Sequence, residues 1–573
     1  MTEAARARPP LGPAILDVIL VFTLASTLAV NPYYFGLDDN SISIPFLKAS
    51  VNPALYPGDY LIAQRAFYYT FLWDALGQLQ HNLGISLPAL FFAGYLVALY
   101  FTFLGTYLIA FSLFGSREVA VVSMLFLLFS KSTLAGVHTL EQMLNTSEAA
   151  TPLLLLAIYF FLERRAVLPF VLLGLAYLVH PLTAHYVLAM LLVAALVESR
   201  ARGLRWLAIG VPAFVVLASP ILVWRLRSSP PSLRLFSADP EWLAALRVRS
   251  PHHMFPLSWG WEPFALAALT ALLFGIGWRH RSDDGHEERH RAILSAFWTI
   301  LALCAIGVVG SEGYPMGVVF QTQPPRAFQF AEYFAMIYVA HYLCRQLELA
   351  DRPAPALRAL AAAGGIAFGQ ERHPLPGLAY LAIVLVAVVR RRLGRGRQPG
   401  TLAPILPAAT CLAGIAAVAC LGLDRWSGET TFPMLAGEPS PFVDVQHWAR
   451  THTDVRDGFI VPPYEQQEFR VFGERTVYGD IEDGGLMNSN PAFGREWLRR
   501  MGMLDLTDPR PAWEGDARSR SDFARLEAPR VRMIAREMVT TNRRVFLVWP
   551  SDGRPLPFVE RFRNAGYIVY QVD

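Results

Sequence analysis

The stretch Gly36–Ser41, with the sequence GLDDNS, begins the first long polar segment of the chain, shortly after the mostly apolar run Ile15–Val30. The apolar run predicts a first membrane-spanning helix over 13–30. Two adjacent carboxylates, Asp38 and Asp39, are costly to hold at a lipid boundary unless they face water, a cation or a substrate. They are therefore the first candidates for a functional site.

The composition is that of a membrane protein with many spans. Of the 573 residues, 54% are hydrophobic and only 17% are charged, which is too apolar for a soluble enzyme of this length. The 4 cysteines all lie in apolar runs, so no disulfide framework is predicted. No basic stripe interleaved with aromatic residues indicates nucleic-acid binding. The expected partners include membrane lipids instead.

A bilayer core of about 30 Å requires roughly 20 apolar residues per helix, and this criterion predicts about thirteen spans. The predicted spans are 13–30, 87–114, 118–137, 149–162, 166–180, 184–197, 206–223, 262–278, 292–310, 327–344, 356–369, 375–389 and 402–422. Some are short for a full crossing, so tilted, broken or re-entrant helices are expected at 149–162, 166–180, 184–197 and 356–369.

Arginines gather on alternate connections between the spans, which predicts that the N-terminus is cytoplasmic in the plasma (inner) membrane. Glu163-Arg164-Arg165 and Arg390-Arg391-Arg392 are examples of these basic inner connections. The long outer segments are aromatic and rich in proline, and they comprise 31–86, 224–261, 311–326 and the whole tail after Leu423. The segment 224–261 also carries five arginines, Arg249 among them, which would suit an anionic ligand.

Two domains are predicted. Residues 1–423 form a transmembrane domain whose first outer loop, 31–86, contains a helix from Ile42 and an interfacial helix from Tyr60 to about Gln80, capped by Asp59. Residues 424–573 form an extracytoplasmic α/β domain. Its predicted strands are 459–461, 470–472, 545–549 and 567–570, and its predicted helices are 492–503, 522–538 and 556–565.

The aspartate pair has two functional interpretations and a simpler one. A carboxylate just above the lipid headgroups can act as a general base, or it can bind a divalent cation such as Mg²⁺ or Mn²⁺. The simpler interpretation is that Asp38 and Asp39 only cap the helix that begins near Ile42.

Further polar residues lie near the predicted outer ends of other spans. Glu141 either faces the same cavity as Asp38 or is a solvated loop acid. His180 and His185 flank a proline break, where they bind phosphate or a metal, or satisfy free backbone carbonyls. Gln323 and Arg326 precede the tenth span, where the guanidinium either grips a lipid phosphate or anchors the chain at the interface.

Two further patterns are interpreted as surface features. Residues 286–290, HEERH, fit the HExxH zinc motif but lie in a charged connection without an obvious third ligand, which indicates a solvated loop. In the tail, Asp480, Glu482 and Asp483 precede Gly484-Gly485 without the ligand spacing of a calcium loop, which indicates a plain surface turn.

The acidic pair after the first span, interfacial helices in the first outer loop, about a dozen spans and a soluble α/β domain together resemble the GT-C superfamily of membrane glycosyltransferases. The resemblance implies a polyprenyl-phosphate-linked sugar as donor and a glycan, lipid or protein as acceptor. It also implies that Asp38 or Asp39 is the catalytic base or a metal ligand, and that Arg326 binds the lipid phosphate. The Trp-Trp-Asp-Tyr-Gly motif of oligosaccharyltransferases is missing from 424–573.

The sequence therefore predicts a glycosyltransferase that works on the extracytoplasmic face. The alternatives are a transporter or flippase of a lipid-linked or small polar solute, and a scaffold for envelope assembly without catalytic activity. An enzyme requires the two aspartates to line a hollow near the lipid boundary, whereas a transporter requires polar residues along a central path.

Overall fold

The molecule consists of a bundle of mostly apolar helices and a mixed β-sheet formed by the tail. The computed structural model describes residues 11–198, 200–230, 233–281, 286–350, 352–368, 384–385, 388–389, 440–465, 469–506 and 521–572.

The first part of the chain is helical. In chain order the helices are α1 (Pro13–Ala25, continued by a π-helical turn, Ser26–Val30), α2 (Asn40–Val51), α3 (Leu72–Leu83), α4 (Leu87–Phe114), α5 (Arg117–Leu128), α6 (Thr146–Leu162), α7 (Leu168–Val179), α8 (Pro181–Val197), α9 (Arg200–Ser228), α10 (Pro240–Arg249), α11 (Pro251–Met254), α12 (Glu262–Arg279), α13 (Glu287–Val308, continued by a π-helical turn, Val309–Gly313), α14 (Gly317–Thr322), α15 (Phe328–Glu348) and α16 (Pro353–Phe368).

Within the described residues, four helical stretches are long and apolar enough to cross a membrane: Pro13–Val30, Leu87–Phe114, Gly203–Ser228 and Glu287–Gly313. Three shorter apolar helices, α6, α7 and α8, coincide with spans that the sequence predicts to be short. The predicted span 402–422 lies outside the described residues, and 375–389 is described at 384–385 and 388–389 alone. The count of thirteen spans therefore stays a prediction.

One predicted span is shorter than expected. Helix α5 ends at Leu128, whereas the sequence predicts a span to residue 137. The chain after it folds back on itself, because the Thr133 amide donates to the Val137 carbonyl at 2.7 Å and the Thr139 amide to the Lys131 carbonyl at 3.0 Å. The connection 129–145 is thereby shaped into a compact loop.

The alternate connections meet at opposite ends of the bundle. At one end the Tyr34 amide donates to the Gln142 carbonyl, and the Phe71 amide donates to the Leu178 carbonyl. At the other end Arg164 pairs with Glu198 and Glu288. Connections that the charge pattern predicts on one side thus contact one another, although which side faces the cytoplasm stays a prediction.

The first outer loop is helical in three pieces. Asp59 accepts the amides of Leu61 and Ile62, and so begins the short 3₁₀-helix Ile62–Phe67. The predicted continuous helix to about Gln80 is wrong, because the chain breaks before α3. At the break the Thr70 hydroxyl donates to the Val179 carbonyl at 2.7 Å, and the Phe71 amide donates to the Leu178 carbonyl. Both residues therefore hydrogen-bond to the C-terminal end of α7.

The HExxH segment is helical, and its interpretation as a solvated loop is wrong. Helix α13 begins at Glu287, and His290 is buried with its Nδ1 hydrogen-bonded to the Tyr338 hydroxyl at 2.7 Å. His290 faces the interior because α13 runs without interruption from Glu287 into its own apolar part.

The tail builds a five-stranded sheet from β1 (Gly458–Ile460), β2 (Thr476–Val477), β3 (Val545–Pro550), β4 (Val559–Arg563) and β5 (Tyr567–Gln571), in the order β2-β1-β3-β5-β4. The first three neighbours are parallel, and β5 pairs antiparallel with β3 and β4. Its helices are α17 (Pro441–His452), α18 (Phe469–Gly473), α19 (Pro491–Met503) and α20 (Ala528–Met538).

Two predictions for the tail are wrong. Residues 470–472 lie in α18 rather than in a strand, because Arg470 turns inward to a buried ion pair. Residues 556–565 contain edge strand β4 rather than a helix, because its backbone pairs with β5 across a bulge. Strand β4 lies at the edge of the sheet and is mostly exposed, and its charged residues Glu560 and Arg563 pair with each other at the surface.

The tail is locked onto the first outer loop by a fully buried cluster of charges. Arg470 Nε donates to Asp59 Oδ2 at 2.8 Å, and its two terminal nitrogens donate to the carboxylate of Asp483 at 2.9 and 3.1 Å. The three side chains are between 0% and 1% exposed. Such a cluster is stable only when complete, because any member left alone is a buried unpaired charge.

Replacing Arg470 with methionine should destabilise the protein by about 3–5 kcal/mol, because it strands two buried carboxylates. The apparent melting temperature of the purified protein in detergent measures this loss. Adding Asp59→Asn and Asp483→Asn to the same variant should restore part of the stability. The control is Arg450→Met, a half-exposed arginine of the tail, and a melting temperature for R470M equal to that of this control contradicts the assignment.

Candidate functional site

The backbone around the aspartate pair is held in a tight turn. Gly36 has φ +84°, and a Cβ there would lie 3.0 Å from the ring of Phe472, so the position needs glycine. Asp38 has φ +51°, an uncommon conformation for a residue with a side chain. The Asp38 carbonyl accepts the Ser41 amide at 2.8 Å as α2 begins. Strained conformations of this kind cluster at functional sites.

Capping does not account for the two aspartates. Asp39 occupies the N-cap position of α2, but among the described residues its side chain accepts no amide of that helix. Its Oδ2 instead accepts a hydrogen bond from Asn145 Nδ2, at 3.1 Å, across to the connection 129–145. In the same described part of the chain no group donates to the Asp38 carboxylate. The carboxylates are therefore available to a ligand.

Asp38 is accessible to solvent and yet surrounded by protein. Its side chain is exposed, but loss of hydration inside the protein raises its pKa well above the ordinary value. The negative charges of Glu482, Asp39 and Glu141 raise this pKa further, and Arg249 lowers it. The Asp38 carboxylate is therefore accessible and lies within reach of the charges of Glu482, Asp39, Glu141 and Arg249.

Glu141 belongs to the same group of charges. Burial raises its pKa, the nearby charge of Asp39 raises it further, and His138 and Arg326 lower it. Its amide donates to Glu148 Oε2 at 3.2 Å, which fixes the loop backbone against the start of α6. Arg326 is therefore close enough to Glu141 for its charge to act on this carboxylate.

Arg326 is held by Gln323. Arg326 Nη1 donates to Gln323 Oε1 at 2.9 Å, and the carbonyl of Gln323 accepts the Tyr186 hydroxyl at 2.9 Å. Gln323 is buried and has φ +41°, so this turn before α15 is also strained. Arg326 therefore presents its guanidinium from a fixed support.

The two predicted histidines differ in their relation to Arg326. His180, between α7 and α8, is hydrogen-bonded through Nδ1 to Thr183 Oγ1 at 3.0 Å and lies within the electrostatic reach of Arg326. His185 Nε2 is hydrogen-bonded to the Tyr177 hydroxyl at 3.3 Å, and His185 lies within the electrostatic reach of Arg225. The structure therefore brings His180 close to Arg326, whereas the charge that acts on His185 is Arg225.

The tail supplies a carboxylate from the segment that the sequence predicts to be a plain surface turn. Glu482 begins the 3₁₀-turn Glu482–Leu486 and forms an ion pair with Arg249 at the end of α10. Burial raises the pKa of Glu482, Arg249 lowers it and Asp39 raises it. The surface-turn interpretation is wrong, because the turn packs against the bundle.

The paired glycines explain how that turn approaches so closely. A Cβ at Gly484 would lie 2.8 Å from Arg249 Cγ, and one at Gly485 would lie 3.1 Å from Ile42 Cδ1. Only side-chain-free residues let the turn approach both α10 and α2. The Gly-Gly pair after an acidic residue was the available signal in the sequence.

Two further histidines lie beside the arginines of the candidate site. His252 and His253, in α11, lie near Arg249 and Arg326. Burial, with the two arginines, lowers the pKa of His252 to about 3, and burial and the same charges lower that of His253 well below its ordinary value. His253 Nδ1 donates to the Ala135 carbonyl at 2.6 Å. Both imidazoles are therefore neutral near pH 7.

A divalent cation does not find a ready set of ligands here. Within the part of the chain that the structure describes, no three side chains of His, Cys, Asp or Glu lie together in a way that would hold one metal ion. A role for Mg²⁺ or Mn²⁺ stays a prediction.

No protein-family model matches the sequence, and no curated protein matches it. Among solved structures, the chain is similar to ArnT from Cupriavidus metallidurans bound to undecaprenyl phosphate, with a TM-score of 0.48, 14% identity and coverage of 98% of this chain and 97% of that one. It is also similar to the archaeal oligosaccharyltransferase AglB from Archaeoglobus fulgidus in complex with an inhibitory peptide and a dolichol-phosphate, with a TM-score of 0.39, 10% identity and coverage of 93% and 69%.

A third similar structure is the arabinofuranosyltransferase AftD from Mycobacteria, with a TM-score of 0.39, 16% identity and coverage of 82% of this chain and 32% of that one. At these TM-scores the likenesses carry no argument about the reaction of this chain.

The raised pKa of Asp38 can be tested without any substrate. Carbodiimides label protonated carboxyl groups, so labelling of Asp38, followed by peptide mass spectrometry, should persist to a higher pH than labelling of the exposed Asp444. Glu482→Gln should lower the midpoint for Asp38, because it removes a like charge and releases Arg249. If Asp38 and Asp444 lose their label at the same pH, the charge group described here is wrong.

Proposed function

We propose that this chain is an integral-membrane glycosyltransferase that transfers a sugar from a polyprenyl-phosphate donor to a glycan, lipid or protein acceptor on the extracytoplasmic side. The observation that carries the proposal is the carboxylate of Asp38. It is accessible, desolvated and without a donor among the described residues, and it lies among charges that include Arg249, at one end of a bundle of apolar helices.

Asp38 acts as the general base. Its carboxylate takes the proton of the acceptor hydroxyl while that oxygen forms a bond to the anomeric carbon of the sugar. The bond from the anomeric carbon to the phosphate oxygen breaks, and the lipid phosphate leaves with the electron pair, which inverts the configuration. A raised pKa suits this step, because a base is most effective when its pKa lies near the working pH.

The arginines bind the phosphate. Guanidinium groups grip phosphate through paired hydrogen bonds, and the charge that develops on the leaving oxygen is stabilised by donors that are already in position. Arg326 is held by Gln323 through one terminal nitrogen, which leaves other N–H groups for a ligand. The neutral histidines His252 and His253 line the same side and add hydrogen-bonding capacity without further charge. His180 and Glu141 complete the binding residues around the arginine.

The two proposed domains, 1–423 and 424–573, contribute different groups to the site. The bundle supplies Asp38, Asp39 and Arg326, and the tail supplies Glu482. We also propose that the tail lies on the extracytoplasmic side with the acceptor. A requirement for Mg²⁺ or Mn²⁺ is tested separately, by dialysing the protein against a chelator and adding each cation back.

Asp38→Asn should reduce product formation by a factor of about 10²–10⁴, the typical contribution of a general base. The measurement is the cell-envelope glycan profile, by mass spectrometry, of a deletion strain that carries the variant. Asp39→Asn is compared beside it, and the matched control is the exposed Asp444→Asn, which should restore the profile. Full restoration by both D38N and D39N contradicts the enzyme and favours a transporter or a scaffold.

Arg326→Gln should weaken the binding of undecaprenyl phosphate by about tenfold or more, because it removes a charge-assisted pair of hydrogen bonds. Binding of this probe to the purified protein measures the effect directly. Arg326→Lys should recover part of the affinity, since it keeps the charge but loses the planar fork. D38N serves as the control that keeps the basic residues. Wild-type affinity in R326Q shows that this arginine does not hold the phosphate.

A further inference from the structure

We propose that Asn145 is a positioning residue that fixes the carboxylate of Asp39 beside Asp38 and thereby sets how strongly Asp38 acts as a base. The inference rests on the proposed function, because it concerns the basicity of the same carboxylate. Asn145 is not among the candidate site residues that the sequence predicts.

Both ends of the Asn145 amide are used. Its Oδ1 accepts the Glu148 amide at 2.8 Å and so caps α6, while its Nδ2 donates to Asp39 Oδ2 at 3.1 Å. The side chain is 6% exposed. A residue that only capped the helix would need an oxygen acceptor and no donor, and serine, threonine or aspartate would serve equally well. The donor is the feature that capping leaves unexplained.

The geometry of this contact is fixed from both sides. Asn40, which is fully buried, donates from Nδ2 to the Leu144 carbonyl at 2.9 Å, directly before Asn145. The Tyr34 amide also donates to the Gln142 carbonyl at 2.8 Å. The two segments are therefore joined by their backbones as well, so that Asn145 and Asp39 cannot drift apart through side-chain motion alone.

A neutral donor is the one that suits the task. The charges that face Asp38 are Asp39 on its own turn, Glu141 on the connection 129–145, Glu482 on the tail and Arg249 at the end of α10. A lysine or arginine in place of Asn145 would also hold Asp39, but its positive charge would lower the pKa of Asp38. The amide orients Asp39 and leaves the negative charge in place.

Two substitutions separate positioning from capping. Asn145→Asp keeps an oxygen that caps α6 but replaces the donor with a like charge, so the labelling midpoint of Asp38 should rise by about one pH unit. Asn145→Ser keeps a cap and adds no charge, but it frees Asp39 to turn away, so the midpoint should fall. Opposite shifts in two variants that both keep the cap are not expected of a purely structural residue.

The control is Asn490→Asp in the tail. Asn490 caps α19 through the Phe493 amide and donates from Nδ2 to Gln64, a neutral partner. This variant makes the same chemical change at another helix and should leave the midpoint of Asp38 unchanged. If N145D and N145S both titrate like N490D, the positioning role is overturned. Where one of the two Asn145 variants fails to fold, the comparison of the other with N490D decides in the same way.

The envelope glycan profile distinguishes this inference from the proposed function. N145S should lower product formation by about tenfold, because a misplaced group near the reacting centre costs rate. Shifted midpoints together with wild-type profiles in both D38N and D39N uphold the positioning of Asp39 and overturn the glycosyltransferase. A lowered profile in D38N with unchanged midpoints in both Asn145 variants upholds the enzyme and overturns the positioning.

Discussion

The buried contact of Arg470 with Asp59 and Asp483 determines where the tail lies. Because it joins the first outer loop to the tail with complete exclusion of water, its geometry tolerates little displacement. Glu482 is the neighbour of Asp483 in the chain, so the lock that holds Asp483 also delivers Glu482 to Arg249 and the aspartate pair. A structural ion cluster and the candidate site therefore share one short turn.

The site itself concentrates negative charge where a soluble protein would disperse it. Asp38, Glu141 and Glu482 lie close to one another and to Asp39, and desolvation together with these like charges raises the pKa values of Asp38, Glu141 and Glu482. The bundle can sustain this cost because its stability derives from apolar packing elsewhere. Arg249 relieves part of the repulsion at Asp38 and Glu482, and Arg326 does so at Glu141, which leaves Asp38 near three acids and one cation. That is a reasonable environment for a base that acts next to a phosphate.

The sequence predicts what depends on local pattern. It predicts the converging connections, three of the five strands and helix α19, because these follow from apolar periodicity and from charge on alternate connections, while the role of the aspartate pair stays a proposal. It misses the edge strand β4, whose pairing depends on β5, and it misreads Arg470, whose direction depends on Asp59 in a distant segment. It also interprets Glu482 as part of a surface turn and does not single out Asn145, since only tertiary contacts bring these residues to Arg249 and Asp39.

Two neutral amides perform the same task on the two sides of the site. Asn145 donates from its side-chain amide to the Asp39 carboxylate, and the side-chain oxygen of Gln323 accepts from the Arg326 guanidinium. An amide can orient either sign of charge without neutralising it, which an ion pair cannot do. Both residues also have fixed positions, because Asn145 is the N-cap of α6 and Gln323 lies in a left-handed turn before α15. Asp39 and Arg326 are therefore oriented without being neutralised, so that both charges can still interact with a ligand.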